Sequence, residues 1–375
     1  MRRHHLLLLG ILTLTPSKVL AVPTYTITDL GTLPGGDFSI GSGINARGQV
    51  TGRSNIAGSI PHAFLWDPVA GMRDLLPVDE PASPSSASVG NGINDNGQVT
   101  GWAGDLGVEH AFLWDPVAGI RDLGTLSGEA ASYGNGINDS GQVTGTSPIV
   151  AGPFSFNSRA FLWDSATGMQ DLGTLGGVES RGNSINDNGQ VTGSSEIEFI
   201  GPTHAFLWDP TTGMRDLGTL PGEGNSEGNG INDSSQVTGT SGGHAFLWDP
   251  VTDMQDLGTL GGTFSVGNGI NDSGQVTGQS TTADGADRAF VWDGTGLFNL
   301  NDLIPPGSGW TLQGGNGIND AGQITGTGID PGGQTNAFLL TPVTVAEVPE
   351  PGTLALIAVG GIGLGLVRHR RRQNA

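Results

Sequence analysis

A unit of about forty-five residues written seven times, with two strand–turn–strand pairs per copy and an aromatic residue at a fixed place in each, predicts an all-β chain: a seven-bladed β-propeller. The first half of the unit recurs with its isoleucine at Ile44, Ile93, Ile137, Ile185, Ile231, Ile270 and Ile318. The second half recurs with its phenylalanine at Phe64, Phe112, Phe161, Phe206, Phe246, Phe290 and Phe338. One such unit cannot bury its own apolar surface and must stack on neighbours. A β-solenoid is the competing architecture, but its coils need fewer residues and less hairpin chemistry. Cysteine is absent, so stability has to come from stacked apolar faces rather than disulfides.

The chain opens on an export signal. Arg2 and Arg3 form a basic start, Leu6 to Leu14 an apolar core, and Val19-Leu20-Ala21 a small-residue site that places signal-peptidase cleavage between Ala21 and Val22. Residues 1–21 are therefore read as a signal peptide with a helical core, and 22–343 as the repeat body.

Within the body, Ser-x-Gly-Asn-Gly-Ile-Asn reads as a first strand whose glycines permit close backbone approach. Asn-Asp-Ser-Gly or Asn-Asp-Asn-Gly follows, a turn signal because Asn and Asp tolerate left-handed geometry and glycine takes positive φ freely. Gln-Val-Thr-Gly is the second strand and His-Ala-Phe-Leu-Trp-Asp the third. The third alternates Ala and Leu on one face with Phe and Trp on the other, so both faces must be covered. Asp-Pro-Val-Thr-Gly or a variant makes the second turn, and Met-Arg-Asp-Leu-Gly the fourth strand. Trp66, Trp114, Trp163, Trp208, Trp248 and Trp292 each contribute about 1.5–3 kcal/mol when buried. The seventh copy has Leu340 instead, an atypical unit at the end of the array. The body begins inside the unit, at Tyr25-Thr26-Ile27-Thr28-Asp29-Leu30-Gly31, a copy of the fourth strand, and ends at Asn336–Thr341, a copy of the third. The N-terminal strand is thus expected to complete the last blade beside Phe338 and close the ring.

Between Val22 and Pro349 the chain carries eight arginines and no lysine against 35 acids, a charge that repels nucleic-acid phosphates and anionic lipid headgroups. Acids concentrate in the turns. Asp95, Asp139, Asp187, Asp233, Asp272 and Asp320 lie in the first turns and are the candidate calcium ligands, since that ion takes roughly six to eight oxygens. Turn-forming Asx hydrogen bonds account for the same residues without an ion, and no other cofactor is implied. The links at the opposite end vary in length and composition: four residues separate Gly239 from His244, thirteen separate Gly145 from Arg159, and a Pro- and Ser-rich stretch follows Leu76. Any binding face is expected at that end. His62, His110, His204 and His244 occupy one repeat position, which Arg159, Arg288 and Asn336 fill elsewhere; this reads as a polar strand-edge position. No Ser-His-Asp set, unique carboxylate pair or Cys/His cluster stands apart from the repeat, so no catalytic residue is assigned.

After a linker at 344–352, Thr353 to Val367 is apolar or small, about 22 Å long as a helix against a hydrocarbon core of about 30 Å. Arg368, Arg370, Arg371 and Arg372 follow, in the 368–375 tail, and the positive-inside rule keeps them cytoplasmic. Val348-Pro349-Glu350-Pro351, the glycine-rich apolar helix and the arginine cluster together resemble the PEP-CTERM sorting signal of Gram-negative bacteria. The resemblance implies recognition by an exosortase, cleavage near Pro349-Glu350-Pro351, and a host that makes exopolysaccharide. The body itself, with H-A-F-L-W-D, D-L-G-T-L and G-I-N-D-x-G-Q-V-T-G, resembles the HAF repeat family of exported bacterial proteins, a likeness that implies no activity. The expected function is a structural or adhesive surface module associated with exopolysaccharide. A soluble glycan- or calcium-binding propeller and a glycoside hydrolase remain open as alternatives.

Overall fold

The computed structural model describes residues 24–343 except 58–59, 77–86, 105–107, 127–130 and 153–154. The signal segment with Ala21 and Val22, the Pro- and Ser-rich link at 77–86, the triplet Pro349-Glu350-Pro351, the 353–367 span and the arginine tail lie outside the described residues. Seven four-stranded antiparallel sheets form the body. Blades one to six run through residues 39–74, 87–122, 133–171, 180–216, 226–258 and 261–299. Blade seven takes three strands from 311–342 and its fourth from Tyr25–Asp29, whose Ile27 pairs with Leu340 and Asp29 with Phe338. This is the expected closure, and the expected seven-bladed propeller.

Blade two shows why these residues make this sheet. Its strands are Ala87–Ile93, Val99–Gly104, His110–Asp115 and Gly119–Asp122. In the first turn the Asn94 Oδ1 accepts from the backbone N–H groups of Asn96 and Gln98, and Gly97 sits at φ +78°. In the second, Asp115 Oδ1 accepts from Val117 and Ala118. Much of the glycine content has a steric cause: a Cβ on Gly101 would lie 1.8 Å from the Val89 carbonyl oxygen, so only glycine fits. Blade three departs from expectation. The segment after Gly145, read as a long link, instead prolongs two strands to ten residues each, Val143–Gly152 and Ser155–Asp164, with Ile149 opposite Asn157. Its β-branched and aromatic content favours strand over loop.

The blades stack as the two apolar faces require. Ala63 and Leu65 of blade one pack on Phe112 and Trp114 of blade two, and the pattern repeats around the ring. It closes where Ala337 and Leu339 meet Phe64 and Trp66. A serine at the start of the first strand in six of the seven blades ties the same seam: the Ala63 N–H donates to Ser88 Oγ at 2.9 Å, and at the closure Ala337 donates to Ser39 Oγ at 2.9 Å. In blade seven, where Leu340 replaces tryptophan, Trp310 packs edge-on against Phe338 at 6.4 Å between ring centroids.

A second covering was not legible in the repeat. The guanidinium of Arg73 lies over Trp114 of the next blade, Arg121 over Trp163 and Arg215 over Trp248, at 4.8–5.3 Å from the ring centroids. Those three tryptophans are 2–4% exposed. The corresponding residues in blades three and five are Gln170 and Gln255, and the tryptophans they face, Trp208 and Trp292, are only half-buried. The cation therefore both attracts the ring and shields it, through the aliphatic stem of the arginine. Gln170→Arg is expected to stabilise the protein by about 0.5–1 kcal/mol, and Arg215→Gln to destabilise it by a like amount. Thermal unfolding of the two variants checks this; equal midpoints for both and the parent would refute it.

Candidate functional site

The first strands line the axis, and their turns build a hydrogen-bonded ring at one mouth. The side-chain amide of Asn45 donates to the backbone carbonyl of Asn94, Asn94 to Asn138, and so on through Asn186, Asn232, Asn271 and Asn319, which returns to the Asn45 carbonyl at 2.9 Å. All seven asparagines are buried. Each is braced by the glutamine four residues on, as in Asn94 Nδ2 to Gln98 Oε1 at 2.8 Å. In five blades that glutamine reaches outward to the aspartate of the second turn, at Asp67, Asp115, Asp164, Asp209 and Asp249. Axis and rim are thus joined by spokes of hydrogen bonds.

The six candidate calcium ligands form the next tier outward. The Asp95 N–H donates to Asp139 Oδ1, Asp139 to Asp187, Asp187 to Asp233, Asp233 to Asp272 and Asp272 to Asp320, at 2.8–3.0 Å. The chain of bonds breaks at blade one, where Ala46 takes the aspartate's place, donates to Asp95, and leaves Arg47 to reach the Asp95 carbonyl. One carboxylate oxygen of each aspartate is thereby engaged in blade-to-blade bonding, the Asx role extended across a seam. Among the described residues no three His, Cys, Asp or Glu side chains converge closely enough to hold a metal ion. The asparagines and aspartates border a recess of about 220 Å³, and a second of about 220 Å³ lies behind the isoleucines, which line both.

Six aspartates of the first and second turns are tuned, in two opposite directions. Hydrogen bonds hold the second-turn carboxyls of Asp67, Asp115, Asp209 and Asp249 low: Asp209 is lowered to about 2, first by the Thr211 hydroxyl, then by the Thr211 N–H and Gln190. Burial, and after it the facing Asp187 with Asp95 or Asp272, pushes Asp139 and Asp233 up. A carboxyl raised in the folded state contributes stability that is present below the ordinary carboxylate range and lost as pH rises through the raised value. The double variant Asp139→Asn, Asp233→Asn keeps the Oδ1 acceptors and removes two of the repelling charges. It should melt higher than the parent at pH 7 and at the same temperature near pH 3; a lower midpoint at pH 7 would contradict the assignment.

The recurring histidine has a partner that the sequence did not reveal. His62, His110, His204 and His244 each place Nδ1 2.8–2.9 Å from the fourth-strand aspartate, Asp74, Asp122, Asp216 and Asp256. Arg159 stands 3.7 Å from Asp171, and Asn336 reaches Asp29 of the N-terminal strand at 3.2 Å. In blade six Asn299 replaces the aspartate, and Arg288 donates instead to the carbonyl of Asp287. The histidines and Asn336 thus clamp strand three to strand four by hydrogen bonds, whereas Arg159 keeps only an ion pair with Asp171 and donates to the carbonyl of Val178.

The variable end carries the larger concavities. A cleft of about 490 Å³ opens between blades four and five, bordered by Glu179, Arg181, Glu196, Asn225, Glu227 and Thr240 among others. A neighbouring recess of about 350 Å³ lies against Tyr133, Thr146, Pro148 and Ser158 and shares Arg181 and Glu227 with the cleft. Asn183 Nδ2 donates to Glu227 Oε1 at 3.0 Å. Thr146, Pro148 and Ser158 lie in the variable segment between Gly145 and Arg159, where a binding face was expected; the other residues were not singled out by the sequence reading. The signal available was the x of Ser-x-Gly-Asn-Gly-Ile-Asn, which changes from copy to copy.

Comparison with known proteins bears on the two parts of the chain differently. Residues 347–372 match the PEP-CTERM protein-sorting motif. The chain is accordingly an exported protein, processed by exosortase at the cell envelope after membrane anchoring. No curated protein sequence matches it significantly. Among solved structures, a puromycin-hydrolyzing peptidase of Mycobacterium tuberculosis is similar with TM-score 0.54 and 11% identity, over 88% of this chain and 57% of that one. A puromycin hydrolase is similar with TM-score 0.53 and 14% identity, over 80% and 51%. TolB from Acinetobacter baumannii follows at TM-score 0.45 and 11% identity, over 80% and 64%. The chain spans about half to two-thirds of the length of these proteins, and at such identities the likeness to the peptidase and the hydrolase shows the fold alone.

Proposed function

We propose that the protein is a structural or adhesive module of the cell surface, released from its membrane tail by exosortase and held in or on an exopolysaccharide layer. The observation that carries this reading is the sorting motif at 347–372 joined to a body that is a closed, rigid ring. The acidic charge of the body supports a partner other than nucleic acid or an anionic membrane. The resemblance of the repeats to the HAF family supports an extracellular setting. The reading assigns no catalysis to the ring: its turn aspartates are committed to backbone N–H groups and its histidines to fourth-strand aspartates.

Replacing Pro349, Glu350 and Pro351 with alanine tests the sorting half of this proposal. The variant is expected to stay in the membrane fraction at its unprocessed mass, with less protein on intact cells than the parent, by surface labelling and immunoblot. Equal surface display would overturn it. Cells lacking the protein should shed more of their polysaccharide into the medium than the parent, and unchanged retention would remove the adhesive half.

A further inference from the structure

We infer that the variable end of the ring holds a binding site for a saccharide chain free of acidic sugars, spread over blades three to five and centred on Arg181 and Glu227. The inference deepens the surface-module reading and rests on it for the setting, by naming where the polymer is held and of what class it is.

The first observation is where the copies stop agreeing. In the first six blades the first strand opens on the same buried serine and continues in glycine, but the residue between them is Ile40, Val89, Tyr133, Arg181, Glu227 or Val266. Its cross-strand partner changes as well, being Arg53 for Ile40, Trp102 for Val89 and Thr240 for Glu227. The flanking positions carry the blade seams and cannot vary without cost. The free position could have stayed uniform, as the aspartates of the first turns nearly do. Instead it breaks the seven-fold pattern and gathers different chemistries on one side: a phenol ring, a guanidinium and a carboxylate on three successive blades.

The second observation is that these groups border real space. The recess of about 350 Å³ and the cleft of about 490 Å³ meet at Arg181 and Glu227, and each has the size of a ligand site. Tyr133 borders the smaller recess and stands edge to face with Trp102 at 6.1 Å, which holds its ring in place as an aromatic surface for the C–H face of a sugar ring. Beyond it the walls are hydroxyls and side-chain amides, from Thr146, Ser158, Thr240 and Asn225, which can both donate to and accept from sugar hydroxyls. Asn183 fixes the Glu227 carboxylate, so its acceptor is positioned before a ligand arrives. A linear chain lying across both recesses would cross Arg181 and Glu227 midway.

Charge decides the class. Glu179, Glu196 and Glu227 outnumber Arg181 at the cleft, in a body already strongly acidic, so uronate, sulfate and phosphate chains are repelled. Neutral and amino sugars are not.

The processed, exported protein should be passed over immobilised chitin, partially deacetylated chitosan, a neutral β-glucan, polygalacturonate and the polysaccharide shed by its own host. Retention is expected on at least one polymer lacking acidic sugars and none on polygalacturonate. Glu227→Gln, Arg181→Ala and Tyr133→Ala should each weaken retention about tenfold without shifting the thermal midpoint, whereas Asp187→Asn at the opposite mouth should leave retention unchanged. Retention of polygalacturonate equal to the neutral polymers, retention of none of the five, or retention indifferent to all three substitutions would overturn the site. Surface display, tested separately through the Pro-Glu-Pro triplet, would stand in each of those cases.

Discussion

The constraint that organises this molecule is a four-stranded sheet that is apolar on both sides. Ala63 and Leu65 face one way and Phe64 and Trp66 the other, so a blade in isolation exposes one face whatever it packs against. Stacking solves this for every blade except the two at the ends of a row. A closed circle has no ends, and the N-terminal strand supplies the fourth strand of blade seven so that the circle shuts. Most other regularities serve the seam: serines that accept from the preceding blade's alanine, glycines where backbones approach, arginines folded over tryptophan. The asparagine ring at the axis is the polar counterpart. Each of its seven bonds contributes about 0.5–1.5 kcal/mol, and together with the bonds to the turn glutamines they leave none of the seven ring amides unmet.

Much of this was legible beforehand because the repeat states its own period. Strand identity followed from alternation in His-Ala-Phe-Leu-Trp-Asp, turn identity from Asn-Asp-x-Gly, and closure from finding a fourth strand at the beginning and a third at the end. What escaped were relations across a seam or across a register. The asparagine of the first turn reads as a local turn former, and nothing in one copy says that its Nδ2 reaches the next copy's carbonyl. The histidine reads as a loose edge residue until the register sets Asp74 within reach of His62. Arg73 and Gln170 look interchangeable on a solvated strand, although one covers a tryptophan and the other leaves it half-bare. Long-range consequences of this kind need the ring to be assembled first.

The two mouths of the ring are built on different logic. One is nearly seven-fold, its aspartates bonded blade to blade and broken only where Ala46 interrupts the circle. The other is lopsided, with tyrosine, arginine and glutamate in positions that packing leaves free. A scaffold that holds its seams constant while letting one end diversify can change what it touches without changing how it folds. Attached to a sorting motif that delivers it to the envelope, such a ring has an address, a rigid frame and one adaptable face.

Closure is the claim on which this account depends, and a cysteine-free chain allows it to be tested by covalent trapping. Thr26 and Thr341 are directly paired across the seam between the N-terminal strand and the last repeat. In the Thr26→Cys, Thr341→Cys variant, paired backbones stand within the Cα separation of about 4.4–6.8 Å that a disulfide needs. Mild oxidation should give a monomeric, circularised species that runs faster on a non-reducing gel and melts higher than its reduced form. Thiols that stay free, or that link one molecule to another, would mean an open array and would contradict the ring.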